Sequence, residues 1–203
     1  MGRSTRRIIQ SLSLAVFIII LAIGRPILWM GLLAIGLVLS KYFGRFYCGW
    51  ICPIHSGMEG MECLDKKGRL GSLGVPAIIT STVTRYLVFI AFLILFIWNL
   101  RTGANLPVLL ILVGIGILLT LFFPAHLWHR YLCPYGTLFS VVSRRSARGL
   151  SIDRDKCTDC GRCRRVCPAL AITETPKHFI HHRDCLLCLK CWQECPQNAI
   201  IYQ

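Results

Sequence analysis

The sequence predicts an all-α domain of four membrane-spanning helices followed by a small α+β domain built on cysteines. Three observations carry this. Hydrophobic residues make up 55% of the chain and the mean hydropathy is +0.59, too apolar for an ordinary soluble domain. The apolar residues fall into four long runs, all before residue 130. Eight of the twelve cysteines then follow in one spacing pattern written twice. The net charge of +14 is unevenly placed: residues 1–149 hold 15 Lys/Arg against three acids, and residues 150–203 hold eight against six. The basic stretch from Arg144 to Leu150 marks the boundary, giving a membrane domain at 1–149 and a cysteine domain at 150–203.

Taken in order, Arg3, Arg6 and Arg7 precede a first apolar run, Ile8 to Gly24. Arg25-Pro26 turns the chain into a second run, Ile27 to Tyr42. Both stand near the lower limit of roughly 17 residues for a span and read as a tight helical hairpin. The alternative for the first run is a cleavable signal peptide, since Ala22-x-Gly24 resembles a small-residue cleavage site. The connection that follows carries Lys41, Arg45, Lys66, Lys67, Arg69 and Arg85, with a polar, glycine-rich stretch from Gly57 to Gly74 that cannot span. Tyr86 to Leu100 and Leu106 to Leu127 are the third and fourth runs, followed by Arg130, Arg144, Arg145 and Arg148. Counting basic residues then predicts a multi-pass protein of the inner (cytoplasmic) membrane. Its N-terminus, its 41–85 connection and everything after residue 128 lie on the cytoplasmic side. Basic residues between apolar spans are topological signals, so a nucleic-acid partner is not expected.

The cysteine domain reads Cys157-x2-Cys160-x2-Cys163-x3-Cys167-Pro168, then Cys185-x2-Cys188-x2-Cys191-x3-Cys195-Pro196. Two-residue gaps let a loop wrap three corners of a cubane, and the Cys-Pro step turns the chain toward a neighbouring one. This is the ligand run of a bacterial double-cluster ferredoxin. It predicts two [4Fe-4S] clusters, one on Cys157, Cys160, Cys163 and Cys195, the other on Cys185, Cys188, Cys191 and Cys167. A tetrahedral zinc site has no use for a third cysteine and a Cys-Pro repeated in both halves. Thiols kept for clusters also argue for a cytoplasm-facing domain.

Four cysteines remain: Cys48, Cys52, Cys63 and Cys133. Cys48-Gly49-Trp50-Ile51-Cys52-Pro53 follows the second run. Trp128-His129-Arg130-Tyr131-Leu132-Cys133-Pro134 follows the fourth, with His129 where the first copy has Cys48. The two blocks form a weak internal repeat, each closing a pair of spans. Three readings stand open. Cys48, Cys52 and Cys133, with His129 or Cys63, supply ligands to a third metal centre; or they are a redox-active thiol pair; or they pack helix ends as small hydrophobes. Two histidines, His126 and His129, without a Cys-x2-Cys-His motif argue against haem.

With these pieces in place the chain resembles the membrane polyferredoxin family that includes NapH, NosR and CcoG, most of all the NapH-type quinol dehydrogenase membrane subunits. The resemblance rests on Gly-Arg-Phe-Tyr-Cys-Gly-Trp-Ile-Cys-Pro at 44–53, Arg-Tyr-Leu-Cys-Pro-Tyr-Gly at 130–136, the four spans and the double-cluster domain. His129 departs from the family, which usually has a cysteine there. The resemblance implies an electron-transfer subunit passing electrons between the quinone pool and a partner redox protein in a larger complex. Lipid, quinone and other redox subunits are then the partners. His55 and Glu59, after the second span, are the candidate proton acceptors on the quinone side. The alternative function is a membrane maturation factor that reduces or delivers a metal ion, or a regulatory iron-sulfur protein. No Gly-rich dinucleotide fingerprint follows a strand, so direct hydride transfer from a nicotinamide is not expected.

Overall fold

The computed structural model describes residues 3–64, 71, 73–103, 107–174 and 178–202. Lys66, Lys67 and Arg69 of the basic connection lie outside the described residues. The chain forms two compact units, residues 1–56 with 139–203 and residues 57–138.

In the first unit the two N-terminal apolar runs fold as α1 (Arg3–Ala22) and α2 (Ile27–Phe43). Gly24, at φ +74°, supplies the left-handed residue that turns one into the other, and Phe17 meets Trp29 edge-on at 5.0 Å. Gly44, at φ +69°, ends α2. The chain continues as a short α3 (Phe46–Trp50), then α4 (Pro53–Leu64), which reaches into the second unit. Gly36 allows this fold-back: a Cβ there would lie 2.7 Å from the Tyr47 ring. From the side of α1, Gln10 Nε2 donates to the Gly49 carbonyl and Ser13 Oγ to that of Ile51.

The rest of this unit holds the end of the helix Pro134–Val142, a short turn at Ser143–Arg145 and the cysteine-rich segment. β1 (Leu150–Ile152) pairs antiparallel with β4 (Ile200–Tyr202), Leu150 opposite Tyr202. β2 (Ile172–Thr173) pairs with β3 (Phe179–Ile180), Ile172 opposite Ile180. Two one-turn helices, Arg162–Arg165 and Lys190–Glu194, follow the cysteine loops. The buried cluster Leu150, Ile172, Ile180, Leu187, Cys191 and Ile200 fills the space between the ladders.

In the second unit, the apolar helix Thr82–Thr102 begins at Ser81, whose Oγ accepts from the Thr84 amide at 3.0 Å, and ends at left-handed Gly103. The next helix, Val108–Phe122, stops short of the expected Leu127. Pro124 forces Phe123 into an extended conformation, and a π-helical turn, Leu127–Leu132, follows. The polar, glycine-rich stretch expected from Gly57 begins within α4, which runs as far as Leu64.

Among the described residues, two helices, Ser4–Ala22 and Thr82–Thr102, are long and apolar enough to cross a membrane. Ile27–Phe43 joins them only when counted with its continuation Phe46–Cys63, bent by 116°. Val108–Phe122, at 15 residues, is shorter. Among the described residues, length and composition thus single out two helices, or three with the bent pair, from the four runs expected; α2 covers its whole run, whereas Pro124 ends the last helix at Phe122.

Candidate iron-sulfur cradles

The eight cysteines of the repeat surround two cavities. One is lined by Cys157, Cys160, Cys163 and Cys195, the other by Cys167, Cys185, Cys188 and Cys191. Each cavity thus takes three sulfurs from one loop and the fourth from the Cys-Pro step of the other.

Backbone conformation explains how short loops achieve this. Asp159 and Gly161 in the first loop are left-handed, and Leu187 and Leu189 occupy the same places in the second. Leu170 and Asn198 repeat the conformation three residues after each Cys-Pro cysteine. A leucine in this region costs roughly 1–2 kcal/mol and persists only where the surroundings over-determine it. Left-handed residues alternating with cysteines curl the loop around a centre, so that thiols converge on it. Past each Cys-Pro step an amide faces the sulfur: Ala171 N donates to Cys167 Sγ at 3.3 Å and Ala199 N to Cys195 Sγ at 3.4 Å. Four thiols per cavity, loops bent around it and amides aimed at sulfur fit a cubane cluster, whose potential such amides raise. Among the described residues no three His, Cys, Asp or Glu side chains draw close enough to hold a single metal ion.

The two cradles differ in electrostatics. Cys160 is exposed, and the Arg162 amide lowers its pKa. Asp159 Oδ1 accepts from His178 Nδ1 at 2.9 Å, which lowers the carboxyl pKa. Around the second cavity burial dominates: it pushes the Cys185 thiol up to about 12 and Cys188 up to about 11, and raises Cys191 further. Without iron these are protonated thiols, and iron must displace the protons.

The Gly44–Pro53 block packs on the second cradle. Trp50 Nε1 donates to the Leu187 carbonyl at 3.0 Å in a buried bond. Gly49 lies so close that any Cβ would overlap the Leu186 carbonyl oxygen. Arg45, 1% exposed, reaches the Arg183 carbonyl with Nη1 at 3.5 Å and Cys48 Sγ with Nη2 at 4.0 Å. Beside this contact lies a cavity of about 860 Å³. Leu39 and Phe43 of α2, Phe46 and Trp50 of α3, and Trp192 and Tyr202 of the cysteine domain line it. Sequence reasoning missed both features. Gly49 in the Cys-Gly-Trp triplet was the available signal, since glycine is the residue that permits a close backbone approach.

Of the other candidates, Cys48 is buried and Cys52 half-buried, in the first unit. In the second unit His129 and Cys133 are buried, Glu59 is half-buried and Cys63 exposed. His55 is buried at 2%. The two Cys-Pro steps share one local geometry. Cys52 N bonds to Tyr47 O at 2.9 Å and Cys133 N to Trp128 O at 2.8 Å, the same wide turn. Pro53 and Pro134 each begin a helix, where a missing N–H costs nothing. Ser56 Oγ and Thr137 Oγ1 bond back to the two cysteine carbonyls, a match the sequence repeat did not include.

Comparison with known proteins bears on most of the chain. Residues 141–200 match the family model for a 4Fe-4S dicluster domain, and residues 25–67 and 105–152 match that for a 4Fe-4S binding domain. The chain is 26% identical over 200 residues to the putative electron transport protein YccM of Escherichia coli, covering 82% of this chain and 53% of that one. It is 24% identical over 180 residues to the ferredoxin-type protein NapH of the same organism, covering 76% and 60%. The methylamine utilization ferredoxin-type protein MauN of Paracoccus denitrificans is 30% identical over 156 residues, covering 68% and 53%. The chain thus spans little more than half the length of these relatives. No solved structure matches it.

Proposed function

Since the chain belongs to the NapH-like polyferredoxin family and shares its iron-sulfur electron-transfer role, we propose that it carries electrons between the membrane quinone pool and a partner redox subunit. It does so through two [4Fe-4S] clusters. One is held by Cys157, Cys160, Cys163 and Cys195, the other by Cys185, Cys188, Cys191 and Cys167. Bound there, the clusters accept and pass on single electrons. The apolar helices are read as four spans of the inner membrane with both termini cytoplasmic.

The observation that carries this reading is the packing of the Gly44–Pro53 block, at the end of an apolar helix, on the loop of the buried cradle. The other cradle presents the exposed Cys160. A path from the membrane side to solvent is thereby favoured, with the exposed cradle facing the partner. The aromatic cavity is the size of a small-molecule site and takes its walls from both α2 and the cradle. We assign the quinone ring to it, with Asn198 and Tyr202 as the polar groups at its wall. His55 and Glu59, the proton acceptors expected from the sequence, do not line this cavity. The Cys-Pro steps are read as helix starts.

The test is anaerobic reduction in proteoliposomes. A quinol is added, and the clusters are followed by EPR against a dithionite-reduced standard. Quinol-dependent signals that weaken in Trp192→Ala support the reading. Clusters reduced by dithionite but never by quinol overturn the quinone assignment.

A further inference from the structure

We propose that Arg45 is a built-in countercharge for the Cys167, Cys185, Cys188 and Cys191 cradle, raising the reduction potential of the cluster bound there relative to a neutral residue at that position. This inference rests on the cluster assignment above.

As a topological signal, Arg45 has no reason to be buried. A membrane-edge arginine keeps its head in water or among headgroups. This guanidinium is instead 1% exposed. It contacts the Arg183 carbonyl at 3.5 Å and Cys48 Sγ at 4.0 Å, and its Nε has no acceptor among the described residues. Among those residues no carboxylate forms an ion pair with it. A buried cation without a counterion is strongly destabilising, so the site calls for negative charge that the polypeptide alone does not provide.

The position of Arg45 indicates where that charge comes from. Arg183 stands two residues before Cys185 in the loop that lines the buried cavity. Burial raises the Cys185 pKa, while the Leu187 amide and the charge of Arg45 pull it back. A cubane with four thiolates is a net anion and becomes more negative on reduction. A fixed cation in a low-dielectric wall therefore favours the reduced form and raises the potential. Lys190 and Arg6 also act on Cys188 from the same unit, but each makes other contacts. Cys48 completes the arrangement, since its sulfur holds the guanidinium against the cradle wall.

The experiment uses the full chain in detergent, as Arg45→Gln and Arg45→Lys beside the unaltered protein. Iron content is measured first, followed by an EPR-monitored redox titration. In Arg45→Gln one of the two midpoints should fall while the other holds, and Arg45→Lys should restore most of the difference. Loss of about half the iron in Arg45→Gln but not in Arg45→Lys also supports the countercharge role, because assembly then needs the charge. Unmoved midpoints in an iron-replete Arg45→Gln overturn it. So does equal iron loss in both variants, which makes the guanidinium shape rather than its charge the requirement. Unaltered protein that carries only one cluster would instead refute the underlying assignment.

Discussion

The Trp50 indole donates to the Leu187 carbonyl at 3.0 Å, and Leu187 is one of two left-handed leucines that curl the buried cradle. The membrane-end block and the cluster loop therefore share a buried bond at a strained position. Replacing Trp50 by Phe keeps the apolar bulk but strands that carbonyl, a cost of about 1–3 kcal/mol. The expected result is a lower midpoint in thermal unfolding and faster iron release from one cluster, read by loss of visible absorbance.

Gly49 gives a sharper test of the same contact. A methyl at this position meets backbone on the cradle loop, the Leu186 carbonyl and, at 3.1 Å, the Cys188 amide. Gly49→Ala should cost more than Trp50→Phe. Gly60→Ala is the matched control: it lies in α4 with nothing within 4 Å, and should gain roughly 0.5–1 kcal/mol of helix stability. Thermal melts of the three variants give the order directly.

The buried thiols predict a pH dependence that exists only without iron. Burial raises the Cys185 and Cys188 pKa values from 9.0 to about 12 and about 11. Their protonated forms therefore stabilise the iron-free fold fully below pH 9, and that stability is lost as pH rises through the folded values. Unfolding midpoints of iron-free protein should drop between pH 9 and 11, while iron-loaded protein stays flat across the same range.

Thiol reactivity should separate the cradles. Cys160 is exposed with a lowered pKa, whereas Cys191 is buried with a raised one. Among the eight repeat cysteines of iron-free protein, iodoacetamide should label Cys160 first and Cys191 among the last, read by peptide mass spectrometry.

The cysteine repeat is legible because its spacing is a local property: two-residue gaps and a Cys-Pro step appear in the string itself. Left-handed Leu170, Leu187 and Leu189 are not legible, since leucine gives no sign of that conformation and tertiary context imposes it. Helix lengths were half legible. Hydropathy finds the apolar runs, but Gly44 and Pro124 decide where α2 and Val108–Phe122 stop. Arg45 was read as a topological charge because sequence carries no burial, and only the fold puts it inside. The docking of Trp50 on Leu187 joins residues more than a hundred positions apart, a separation of 137, beyond any pattern in the string.

The most direct test of the central claim is iron and acid-labile sulfide per chain on anaerobically purified protein, compared with Cys160→Ala and Cys191→Ala. The account predicts about eight irons in the unaltered chain and about four in each variant, with a different EPR signal lost in each. About four irons in the unaltered chain, or the same signal lost in both variants, would contradict it.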